Sequence, residues 1–221
     1  MKKLLSVLLS AAIIMSLTVP VFAIRGVELE NEDILSQEVI DSELGSSWAR
    51  TELEKAQEAG LMTAHTMTRM TSDITRFQFA ELVVNLAEKM TGKTIEPADA
   101  DTFDDCTETA VLKAYAAGIV DGVNKTSFAP DLTTNREQIA TMVARAIKYI
   151  NTENGVDLAP KAANLDKFTD KNQVSGWAKD GMGLLTANGI MKGANDTTVA
   201  PKKPCSIEQS ILLVYRIFTK G

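Results

Sequence analysis

Two arginines and two tryptophans are the residues of this chain best placed for ligand chemistry. Arg76 and Arg136 each follow directly on a helix-capping residue, Thr75 and Asn135, with Gln78 and Gln138 three residues beyond the cap. That spacing puts each arginine at the first helical position. Unpaired backbone N–H groups and the positive end of the helix dipole make that position an anion site. A cation there opposes the dipole, so its occurrence twice asks for another reason. The planar guanidinium offers a fork of donors matched to a carboxylate or phosphate. A salt bridge to a loop acid would account for one such arginine; two at equivalent positions favour an anionic ligand. Trp48 and Trp177 stand in matching places, each 12 residues ahead of a glycine, Gly60 and Gly189. An aromatic face beside a polar groove suits a sugar ring, and packing between structural units would use the same residue.

The elements that must position these side chains recur three times. A first helix (about 48–59, 109–117 and 175–188) ends at Gly60-Leu61-Met62, Gly118-Ile119-Val120 and Gly189-Ile190-Met191. Glycine followed by an apolar residue predicts a left-handed C′ position with the next side chain folded back on the helix. A polar loop leads to a second helix capped at Thr75, Asn135 or Ser206, each followed by a glutamine at the third helical position. In the second copy Ile139, Met142, Val143, Ala146, Ile147 and Ile150 form a helical stripe. One helix pair is too small to bury such a stripe, so three pairs are expected to share a core, the second helices the more buried. The arginines, at the first position of those helices, are expected to be exposed.

Composition narrows the function. Residues 1–23 read as a secretory signal peptide: Lys2 and Lys3, an apolar run from Leu4 to Val19, and Val21-Phe22-Ala23 as cleavage site, a membrane anchor being the alternative. Residues 24–45 read as an acidic, solvated leader. Cleavage after Ala23 leaves 21 basic and 29 acidic residues, net −8. That balance argues against nucleic acid and, after signal cleavage, against nonspecific membrane adhesion. Cys106 and Cys205 occupy non-equivalent positions and read as free thiols. His65 is the single histidine, which disfavours His-based triads and zinc sites. The loops at Asp121 and Gly193 lack the alternating carboxylates of a calcium loop. No cofactor, metal site or catalytic residue is predicted; an acidic hydrolase site in a groove between copies is the enzymatic alternative.

These elements resemble S-layer homology (SLH) domains. The third copy has Phe168-Thr169-Asp170, Trp177, Gly189-Ile190-Met191-Lys192-Gly193 and Ala200-Pro201; the second has Phe103-Asp104-Asp105, Gly118-Ile119-Val120-Asp121-Gly122, Phe128-Ala129-Pro130 and Arg136-Glu137-Gln138; the first has Ile74-Thr75-Arg76. The resemblance divides the chain into repeats at 46–92, 102–150 and 168–221, with a polar, protease-sensitive linker at 151–167. It implies an all-α, pseudo-threefold spindle that is not an enzyme. Its grooves would bind an anionic secondary cell wall polysaccharide, often through a pyruvylated sugar, with Arg76 and Arg136 as ligand contacts and Trp48 and Trp177 as further candidates. The protein would be secreted and held at the cell wall or S-layer. The alternative is an envelope structural protein with degenerate repeats whose partner is another envelope protein. Ile207 replaces the motif arginine in the third copy, which puts that copy's groove in question. The first copy lacks the Phe-x-Pro loop and has Ala64 in place of the second glycine.

Overall fold

The three glycine stops form as their sequence requires. In the computed structural model, which describes residues 37–221, Gly60, Gly118 and Gly189 take φ of +65°, +67° and +69°. The amides of Leu61, Ile119 and Ile190 then reach back to the carbonyls of Ala56, Ala114 and Leu185, each at 2.9 Å. These are the doubled-back helix ends that the Gly-apolar pairs predict.

Among the described residues seven α-helices result: α1 (Gln37–Leu44), α2 (Arg50–Glu58), α3 (Arg76–Thr91), α4 (Thr109–Ala116), α5 (Arg136–Asn154), α6 (Lys179–Ala187) and α7 (Ile207–Phe218). Short 3₁₀ turns occupy Ala64–Thr66, Lys171–Gln173 and Gly176–Ala178. The fold is all-α; among the described residues extended pairing is confined to three isolated bridges. The predicted signal peptide and most of the acidic leader lie outside the described residues. The leader's end is not a solvated tail: α1 occupies it, Arg50 binds Asp41 at 2.6 Å, and Met70 N–H donates to Ser42 O at 2.6 Å.

The caps form at Thr75 and Asn135 with both bonds of the capping box. Ser206 accepts from Gln209 N, and no return bond from the Gln209 side chain is present. That side chain lines a groove beside Trp48 instead.

The second helices α3, α5 and α7 pack on one another at the centre. Leu82, Val83 and Leu86 of α3, Ile139, Val143 and Ile147 of α5, and Ile211, Val214 and Ile217 of α7 are buried there. Each second helix then packs along the first helix of the next copy: α3 with α4, α5 with α6, and α7 with α2. The sequence pattern pairs helices within a copy, whereas the tertiary pairing crosses between copies. An apolar stripe needs two neighbours to leave water, and the loop inside each copy is long enough for its two helices to separate.

Hydrogen bonds close this exchange into a cycle. Thr134 N–H donates to Ile74 O, Cys205 N–H to Thr134 O, and Ile74 N–H to Cys205 O, at 3.0, 3.1 and 2.9 Å. The first two amides of each second helix point at the following copy's loop. Arg76 and Phe77 donate to Leu132 and Pro130, Arg136 and Glu137 to Lys203 and Pro201, Ile207 and Glu208 to Ser72 and Met70. The four orphan amides that begin every helix are thus partly satisfied by a neighbouring copy.

The linker at 151–167 is partly docked. Helix α5 runs into it as far as Asn154, and Leu158 and Ala159 are buried. Lys161 and Asn188 exchange hydrogen bonds at 3.0 and 2.9 Å, and Asn164 N–H donates to Gly183 O. A Cβ on Gly183 would come within 3.1 Å of Ala163 and Asn164. These bonds tie part of the segment to α6, while most of its residues stay exposed.

Candidate functional site

Arg76 and Arg136 are not exposed: each retains 8% of its accessible surface. Arg76 Nε donates to Phe128 O and Nη2 to Asp121 O, both at 2.7 Å, and its guanidinium lies 4.5 Å from the centre of the Phe128 ring. Arg136 repeats the pattern one copy on, Nε to Val199 O at 2.8 Å and Nη2 to Lys192 O at 2.6 Å. Each arginine therefore crosses from the start of a second helix to the Gly-apolar loop of the next copy. Burial lowers the pKa of both groups, opposed at Arg76 by Asp105 and Asp121 and at Arg136 by Cys205 and Asp170. Among the described residues neither Nη1 has a hydrogen-bond partner, so each guanidinium keeps donors for a ligand.

The loops that receive the arginines are built by a carboxylate. Asp105 accepts from Ser127 Oγ, Phe128 N and Ala129 N at 2.5–2.8 Å, and Asp170 accepts from Val199 N and Ala200 N. These bonds hold Ala129 and Ala200 in the left-handed region, φ +58° and +48°. The hydrogen bond from Ser127, followed by those from Phe128 and Ala129, holds the Asp105 carboxyl below the usual range. Gly122 and Gly193 are required by space: a Cβ would stand 2.4 Å from Asn124 O and 2.2 Å from Asn195 O. Ala64 replaces that glycine in the first copy, and the chain there makes a 3₁₀ turn, Ala64–Thr66, instead.

Trp48 and Trp177 are both 59% exposed, so neither is committed to packing between copies. Each lines a groove assembled from all three copies. The second-copy groove, about 600 Å³, combines its own Asp121 loop and α5 face with Arg76 from the first copy and Trp177 from the third. The third-copy groove, about 240 Å³, combines the Lys192 loop and α7 face with Arg136 from the second copy and Trp48 from the first. The first-copy groove, about 510 Å³, is lined by the Thr63–His65 loop, Glu81 and Glu88 of α3, and Glu108 and Lys113 at and within α4. It contains neither arginine nor tryptophan.

This arrangement relocates the deficit expected from Ile207. Residue 207 belongs to the third copy, but its backbone bonds to Ser72 of the first, and its side chain is buried. The missing arginine is lost to the first copy's groove; the third copy's groove receives Arg136. The second copy's lack of a leading tryptophan falls on the same first-copy groove, because each tryptophan serves the copy before it.

Glu137 and Glu208, at the second helical position, were not singled out by sequence, and both are buried. Glu137 accepts from Ser175 N and Oγ at 3.0 Å and binds Lys202; Glu208 accepts from Ser46 N and Oγ at 2.8 and 3.0 Å. Each ties one copy's second helix to the start of the next copy's first helix. Phe77 holds this place in the first copy. The available signal was the recurrence of Glu directly before the capping glutamine, which reads in isolation as a favourable charge in a first helical turn. Cys106 and Cys205 are buried free thiols, and burial raises both pKa values. Among the described residues no cluster of three or more His, Cys, Asp and Glu is placed to hold a metal ion.

An endoglucanase of Bacillus sp. (strain KSM-635) is 28% identical over 225 residues, covering 99% of this chain and 22% of that protein. Exoglucanase XynX of Acetivibrio thermocellus is 22% identical over 85% of this chain and 17% of its own length. The surface-layer 125 kDa protein of Lysinibacillus sphaericus is 28% identical over 48% of this chain and 8% of its own length. The chain thus spans about a fifth or less of these curated relatives. The family model described as S-layer homology domain matches residues 98–140 and 167–206, so the second and third copies carry S-layer homology sequence.

Proposed function

We propose that this chain is a secreted, non-catalytic module that holds itself at the cell envelope by binding an anionic secondary cell wall polysaccharide in the grooves between copies. The carrying observation is that two grooves each unite a guanidinium, buried except for donors left unpaired, with an exposed tryptophan. A carboxylated sugar, such as one bearing a pyruvyl ketal, would place its acid on the guanidinium and a ring face on the indole. The cyclic backbone bonding supports a pseudo-threefold spindle in which the first copy is a third, divergent SLH repeat. The matched segments and the surface-layer relative support envelope location. The test is co-sedimentation of the chain with purified walls before and after extraction of the acidic polymer. Binding should follow the polymer and weaken as salt rises; retention on stripped peptidoglycan, or binding indifferent to salt, would contradict it.

A second reading has its own support. The hydrogen bonds of Arg76 and Arg136 to neighbouring carbonyls account for both residues without any ligand. On that reading the chain is an envelope interaction protein whose arginines only join its copies. Walls lacking the polymer would then bind it as well as intact walls.

A further inference from the structure

The two tryptophan-bearing grooves differ at one equivalent loop position, and the difference is one of charge. Asp121 and Lys192 both follow a Gly-apolar-apolar triplet, and both give their backbone carbonyl to the arginine of the preceding copy. In the second-copy groove the Asp121 carboxylate stands at the rim, 65% exposed and 2.5 Å from Arg145. In the third-copy groove Lys192 takes that place, joined by Lys203, and neither ammonium has an ion-pair partner among the described residues. Arg216, the counterpart of Arg145, also lines this groove, but it is neutralised by Glu52, at 2.9 and 3.2 Å, and donates to Ile190 O. The third-copy groove therefore adds two free cations to its arginine, while the second-copy groove adds a pair that sums to zero.

We propose that position 121/192 sets which groove takes which sugar. The third-copy groove, at Trp48, holds the saccharide unit that carries the carboxylate. The second-copy groove, at Trp177, holds the same acid more weakly and accepts a neutral saccharide unit as readily, because the Asp121–Arg145 pair adds no net charge to Arg76. This rests on the glycan-binding function proposed above. The smaller third-copy groove gathers Arg136, Lys192 and Lys203 in one lining, so their positive potentials add, and the larger one has room for an uncharged ring.

The chain's two tryptophans are its only ones and sit one in each groove, so each can report on its own site. Trp177→Phe leaves Trp48 as sole emitter, and Trp48→Phe leaves Trp177. Both proteins are titrated with methyl 4,6-O-pyruvyl-glucopyranoside and with its methyl ester, which keeps the shape and removes the charge. The acid should perturb Trp48 at a concentration about tenfold lower than Trp177, and the ester should abolish that preference. Lys192→Asp should raise the Trp48 midpoint about tenfold, and Asp121→Lys should lower that of Trp177. Both side chains are exposed, so folding is not at stake. Equal midpoints, a preference surviving Lys192→Asp, or silence of both tryptophans while the full chain still sediments with polymer-bearing walls would overturn this inference alone. Silence together with no wall binding would overturn the glycan-binding function and this inference with it.

Discussion

The third-copy and first-copy grooves are built by the same plan and furnished oppositely. Both lie between a Gly-apolar loop, the face of a second helix and the start of the next copy's first helix. The third-copy groove has Arg136, Trp48, Lys192 and Lys203; the first-copy groove has Glu81, Glu88 and Glu108 against Lys113 and His65. The lesson is one of connectivity. Because each copy gives its arginine forward and its tryptophan backward, substitutions scattered over the second and third copies converge on one site in the first. A repeat protein joined in a cycle can thus strip one groove of both arginine and tryptophan and leave two with both.

The largest expected effect comes from breaking the joint that serves the better groove. Arg136→Ala should cost about 3 kcal/mol of stability, since Val199 O and Lys192 O lose a charged donor inside a buried contact. Urea denaturation measures it, and an unchanged midpoint would show that the joint carries no load. Ile207→Ala, at the equivalent place, should cost a similar ~2–4 kcal/mol through lost packing and leave wall binding alone. A smaller loss, about 2 kcal/mol, is expected for Glu208→Ala, with faster hydrogen exchange at the Ser46 amide. Unaltered exchange there would mean that the carboxylate does not cap α2's approach.

How far the sequence reveals this arrangement depends on the range of each interaction. The glycine stops, the caps at Thr75 and Asn135 and the stripe of α5 rest on residues within a turn or two of each other, and all form where the spacing predicts. The cross-copy pairing of α3 with α4 was not legible, because within-copy and between-copy packing have the same periodicity. The burial of Arg76 and Arg136 was hidden for a related reason. Helix-start rules describe the local backbone, and these guanidinium partners, Phe128 O and Val199 O, lie 52 and 63 residues away. The docking of the segment at 158–164 was hidden by its polar composition, since its backbone groups are served by side chains at the end of α6: Asn188 bonds both Lys161 N–H and O, and the Thr186 hydroxyl donates to Asn164 O.

The loops sharpen the comparison under acid. Asp105 has a folded pKa below its unfolded value, so its contribution is present above the ordinary carboxylate range and is lost as pH falls through the lowered folded value. The Phe128–Pro130 loop should therefore loosen as pH falls below the ordinary carboxylate range, visible as amide shifts of Phe128 and Ala129 that follow the Asp105 carboxyl. In the first copy the Met70 amide is held by Ser42 O, a carbonyl, and should show no such step. A matching transition at Met70 would imply a carboxylate partner that the geometry does not show.

The most direct test compares wall binding by two double variants that spare the buried joints. Trp48→Ala/Trp177→Ala removes the exposed faces of the two furnished grooves; His65→Ala/Glu81→Gln alters the groove that has neither arginine nor tryptophan. Sedimentation with polymer-bearing walls should show about a hundredfold weaker binding for the first, roughly tenfold per tryptophan, and unchanged binding for the second. Full binding by the tryptophan variant, or loss of binding by the first-copy variant, would contradict the assignment of function to the grooves.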